Sequence, residues 1–123
     1  LSTVHANTPR DALARIENMV LMAEMDLPSR AIREQIASAV HMIIHISRMR
    51  DGSRKVTHIT EVSGREGETI TTQDVFLFRQ EGIDAQGKVL GSLQPTGIRP
   101  SFAERFLESG IDLPADIFRN PEW

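Results

Sequence analysis

Four histidines and no cysteine set the range of chemistry open to this chain. Without a thiol there is no disulfide and no thiolate nucleophile. His5 stands between Thr3 and Asn7 in the run Ser2-Thr3-Val4-His5-Ala6-Asn7-Thr8-Pro9. An imidazole there can donate to a phosphate oxygen or hold a carboxylate, and it changes charge near neutral pH. Arg10 follows three residues after Asn7, and a guanidinium can bind phosphate oxygens in a bidentate fork. His45 and His58 flank Asp51-Gly52, a strong hairpin-turn signal. Counting outward from a two-residue turn, Arg50 faces Ser53 and His45 faces His58, close enough for their side chains to meet. Two imidazoles hold a divalent ion weakly. A closed zinc site wants four ligands, and neither a cysteine nor an evident third ligand is near. A polar cross-strand pair is therefore preferred, and no metal residue is assigned.

These residues need elements to position them. Residues 1–6 read as a short strand. Thr8 is the expected N-cap of a first helix from Pro9 to Met25, with Pro9 at the first helical position and Asp11 in the positive first turn. Leu13, Ile16, Val20 and Ala23 share one face, with Met19 beside them. Asp26-Leu27-Pro28 ends the helix. A second helix is predicted over 29–39, with Ile32, Ile36 and Val40 at four-residue spacing. Strands follow over 41–49, 54–62 and 69–79, with Ser63–Glu68 as a second turn. The expected result is a three-stranded antiparallel meander, with Val56, His58, Thr60 and Val62 on one face of its middle strand. Four glycines and Pro95 mark 81–97 as a linker or extended arm. A small helical tail follows, from Ser101-Phe102 to Ser109 and then at most one turn near Pro114–Phe118. The predicted class is α/β, with 1–80 as the structured part and 81–123 as linker and tail.

The 123 residues suffice for one core, and 40% apolar with 25% charged residues is globular composition. A net charge of −3 does not argue for nucleic acid. No apolar run approaches the roughly 20 residues that span a bilayer. The chain starts in β-prone residues without an initiator Met, so upstream sequence is expected.

The run Ser2–Leu13 resembles the histidine box of the secretion ATPase superfamily, with the CpaF-type ATPases of tight-adherence (Flp) pili as the closest likeness. The likeness continues through Leu27–Ala37, Asp51–Val56 and Thr60–Val62. It weakens in the tail, at Pro95-Thr96-Gly97-Ile98-Arg99-Pro100 and Leu113-Pro114. His41 departs from it, since these ATPases more often carry an acid there. The resemblance implies the C-terminal part of a RecA-like P-loop ATPase domain that assembles as a homohexamer. It implies a cytoplasmic protein at the inner membrane, docked on platform proteins of a pilus or secretion machine. It makes His5 the box histidine, with Thr3 and Asn7 as neighbours at the catalytic edge. Arg10 becomes a candidate for an intersubunit or phosphate contact. ATP and Mg2+ are then ligands of the full-length protein. The chain holds no G-x-x-x-x-G-K-[ST] and no acidic Walker B strand, so alone it is expected neither to hydrolyse nor tightly bind ATP. A different reading remains open: a non-catalytic module that docks onto a motor or membrane platform. A free-standing small metal- or ligand-binding domain has only the histidine pair behind it.

Overall fold

The computed structural model describes residues 1–23 and 27–120. Its elements are α1 (Pro9–Met22), α2 (Ser29–Ala39), β1 (Met42–Arg48), β2 (Arg54–Glu66), β3 (Thr69–Ile83), β4 (Val89–Pro95) and α3 (Phe102–Glu108), then a short 3-10 turn (Ala115–Phe118). The class is mixed α and β, with one antiparallel sheet in the order β1-β2-β3-β4.

The first helix starts as its sequence dictates. Thr8 Oγ1 accepts the Asp11 N–H at 3.0 Å, and Pro9 sits where a missing N–H costs nothing. Met25 and Asp26, assigned to the end and break of this helix, lie outside the described residues. In α2 the four-residue repeat places Ile32 and Ile36 against the sheet. They cluster with Leu13 of α1, Val62 of β2 and Ile70 of β3. Burying a side chain such as Ile32, at 1% exposure, contributes about 1.5–3 kcal/mol. Ala23, expected on the buried face of α1, is exposed.

Several expectations are corrected. Residues 1–6 form no strand of the sheet; β-prone side chains alone do not make a strand without a neighbour to fill its ladder. The stretch 63–68 is not all turn, because β2 runs on to Glu66 and only Gly67-Glu68 turns. The meander has four strands, not three. The stretch 81–97, expected as linker or arm, completes β3 and returns as β4, which pairs from Ile83↔Val89 to Phe76↔Pro95. The glycines that suggested a linker serve the hairpin instead. Gly87 takes a φ of +81° in the turn, and Gly91 lies against the Arg79 carbonyl, where a Cβ would come within 2.3 Å.

Register shifts bend the sheet at four places. Thr57 is the extra residue against β1, Ser63 and Val75 are extra between β2 and β3, and Glu81 is extra against β4. Such bulges raise local twist and re-aim side chains. One consequence corrects the expected face of β2. Val56 pairs with Ile46, whereas His58 pairs with His45. Because β1 alternates, Val56 and His58 lie on opposite faces.

Glu61 precedes Val62 and therefore points away from α1 and α2. There it meets the start of α3. The tail packs on this second face through Val75, Ala103 and Phe118, with Phe76, Phe102 and Leu113 around them.

Candidate functional site

Thr3, His5 and Asn7 sit on the segment that leads into α1. Exposure alternates along it: Thr3, His5 and Asn7 are exposed, and Val4 and Ala6 are half-buried. That period of two sets three polar side chains on one outward face. None of the three makes a side-chain hydrogen bond to a described residue. The capped first turn of α1 fixes the segment's exit.

Arg10 behaves differently. Its guanidinium donates to the Ile70 carbonyl at 3.3 Å and to Thr72 Oγ1 at 3.4 Å. It thereby ties the first turn of α1 to β3. Arg33 on α2 forms the neighbouring contacts, to Glu17 Oε1 at 3.0 Å and to the Glu68 carbonyl at 3.2 Å. A shallow cavity of about 260 Å³ opens between these groups, lined by both arginines, Glu17 and Glu68. The structure thus gives Arg10 a structural task that sequence reading did not assign.

The expected histidine pair forms. The His45 and His58 rings stand 5.5 Å apart at 74°. His45 is buried, and Thr57 Oγ1 lies 2.9 Å from His58 Nδ1. No group of three or more His, Asp or Glu able to hold a metal ion gathers among the described residues.

Sequence reading also passed over Glu61. At 2% exposure it is a buried acid, a costly group unless satisfied. Its carboxylate accepts from Gln73 Nε2 at 2.7 Å, Ser101 N–H at 3.2 Å, Ser101 Oγ at 2.9 Å and Phe102 N–H at 3.0 Å. It caps α3 from a distant strand. Burial pushes the Glu61 carboxyl up, and the donors from Phe102, Ser101 and Gln73 together hold it below its ordinary value of 4.5. Nothing in the polar run Arg54–Glu66 marked this acid as buried, since its donors from Ser101 and Phe102 lie 40 and 41 residues away.

No family model matches the chain. Over 65 residues it is 35% identical to two proteins of Mycobacterium tuberculosis, one from strain CDC 1551 / Oshkosh and one from strain ATCC 25618 / H37Rv, each named "Putative conjugal transfer protein". The matched stretch is 53% of this chain and 18% of either relative. The chain therefore spans less than a fifth of the length of these curated relatives. No helix among the described residues is long and apolar enough to cross a membrane.

Proposed function

We propose that this chain is the C-terminal segment of an ATP-hydrolysing motor for pilus assembly or protein secretion, of the CpaF type. In this reading the RecA-like core, the hexamer and the platform partners belong to the full-length protein. His5, with Thr3 and Asn7, stands at the edge of a nucleotide site that other parts of that protein complete. Similarity to conjugal transfer proteins supports a place in envelope-crossing transport machinery.

The observation that carries the reading is the outward face shared by Thr3, His5 and Asn7. A buried strand histidine bonded to backbone would be packing. An exposed imidazole that bonds to no described residue, three residues before the helix cap Thr8, is available to a group outside this chain. The fit to ATP and Mg2+ is partial by construction. The chain has no phosphate-wrapping glycine loop and no described acidic cluster for a metal. What it offers are a ring N–H, a hydroxyl and an amide, which can position a phosphate oxygen or a carboxylate. Phosphoryl transfer depends mainly on such positioning and charge stabilisation.

The test is His5→Ala in the full-length protein. ATP turnover is expected to fall by about 10²-fold, the scale for one positioned polar group at a charged transition state, with hexamer assembly and helix content unchanged. Turnover at the wild-type rate overturns the reading. Arg10→Ala is less direct, since loss of its contacts to Ile70 and Thr72 loosens α1 from the sheet.

A further inference from the structure

We propose that the loop Gly97–Arg99 and the turn bearing Arg119 form a binding site for a phosphate monoester, carried by a small organic molecule or by a lipid headgroup. This site does not rest on the histidine-box reading.

A cavity of about 550 Å³ lies between the end of β4 and the 3-10 turn, lined in part by Gly97, Ile98, Arg99, Phe118, Arg119 and Asn120. Its size is within the range of about 300–1,000 Å³ for small-ligand sites. Arg99 and Arg119 line it, and no acidic residue among the described residues does. Neither Arg99 nor Arg119 makes an ion pair with a described residue. Two cationic side chains in one concavity that pair with no described acid suit an anion.

The backbone adds further donors. The N–H groups of Gly97, Ile98 and Arg99 donate to no described residue. Gly97 has a φ of +96°, a conformation of the left-handed half of an anion-holding nest. Arg99 and Arg119 supply forks that match phosphate oxygens. Three N–H groups that donate to no described residue and two forks offer more donors than a carboxylate can accept, which favours a phosphate with three terminal oxygens. Ile98, Ala115 and Phe118 provide apolar lining for the organic body.

The loop is held ready. Thr96 N–H donates to the Val75 carbonyl at 2.9 Å, and Thr96 Oγ1 to the Asp74 carbonyl at 2.7 Å. Asn120 Nδ2 donates to the Pro95 carbonyl at 2.9 Å, which ties the turn to the same strand end. Pro100 is fully buried. Both walls are thus fastened to β3 and β4, so little ordering cost is left for binding.

The test uses the whole protein and follows amide shifts on titration with phenyl phosphate and inorganic phosphate. Saturable shifts at Gly97, Ile98 and Arg99 are expected, stronger for phenyl phosphate. Arg99→Gln and Arg119→Gln should each weaken binding by about ten-fold or more, the scale of a lost charged hydrogen bond. Arg105→Gln, on α3 and outside the cavity, should leave it unchanged. If Arg99→Gln lowers the melting temperature, Arg99→Lys, which keeps the charge and loses the fork, replaces it. A flotation arm uses vesicles of phosphatidic acid and phosphatidylcholine. Flotation lost in the Arg99/Arg119 variants assigns a headgroup; phenyl phosphate binding without flotation assigns a soluble ligand. No saturable shift and no variant-sensitive flotation overturns the site, as does undiminished binding when Arg99→Gln and Arg119→Gln are combined.

Discussion

His45 faces His58 because two register shifts cancel. The hairpin between them is closed by a three-residue loop, Arg50-Asp51-Gly52, in which Met49 N–H donates to the Ser53 carbonyl and Gly52 N–H to the Met49 carbonyl. That loop sets Ile46 opposite Val56, one residue away from the register of a two-residue turn. Thr57 then bulges out of the ladder and restores the pairing of His45 with His58. The expected pair therefore forms by a different route from the expected one.

Thr57 is fastened where it bulges. Its hydroxyl lies 2.9 Å from His58 Nδ1 and 3.3 Å from Ser47 Oγ, and 3.5 Å from the His45 carbonyl. Thr57→Val keeps shape and β-branching and removes those contacts. A loss of about 1 kcal/mol is expected in urea unfolding. No change in midpoint would mean that backbone pairing alone holds the bulge.

Glu61 ties the tail to the sheet through four donors. Glu61→Gln leaves one acceptor oxygen where two now serve, and brings donors where acceptors are needed. A loss of about 2 kcal/mol is expected near neutral pH. The folded carboxyl is held below its ordinary 4.5, so its contribution is present above pH 4.5. It is lost as pH falls from there through the folded value. Acid titration of stability should be steeper for wild type than for Glu61→Gln below pH 4.5. Parallel curves would remove Glu61 from the acid response.

Asp51 has a similar role at the opposite end of the sheet. Hydrogen bonding from the Ser53 hydroxyl, then from the Val89 and Ser53 N–H groups, lowers its carboxyl from 3.8 to about 2. Oδ2 accepts the Val89 N–H at 2.8 Å, joining the β1–β2 turn to the first residue of β4. A carboxyl carbon titration by NMR should place Asp51 near 2, with its stabilising contribution lost between pH 3.8 and 2. Titration near 3.8 would mean that the contact to β4 does not persist in solution.

Gly91 tests the fourth strand. A Cβ there would stand 2.3 Å from the Arg79 carbonyl oxygen and 2.8 Å from Phe78 Cζ. The first neighbour is backbone and cannot rotate aside. Gly91→Ala is expected to cost about 2 kcal/mol or more, in the range for overpacking, and to raise amide exchange along β4. Full stability in the variant would return 89–95 to the status of a loose arm.

Much of the local structure was legible in the sequence, and the reasons are local. Thr8-Pro9 and Asp11 specify the start of α1 by capping chemistry. The spacing of Ile32 and Ile36 specifies the buried face of α2. Asp51-Gly52 places a hairpin. What tertiary structure alone decided depends on partners distant in sequence. β4 reads as a linker because Gly91 and Pro95 lower strand propensity, yet pairing with β3 outweighs it. The face that Val56 shows depends on one bulged residue, which no periodicity reveals. Glu61 looks like a surface acid until α3 arrives 40 residues later and gives it donors. Arg10 looks free for a ligand until β3 supplies Ile70 and Thr72. Capping and periodicity act over a few residues and are written in the sequence. Ladder pairing and buried-charge compensation require the folded chain to bring remote groups within hydrogen-bond or van der Waals reach, and only the fold sets Arg99 and Arg119 around one cavity.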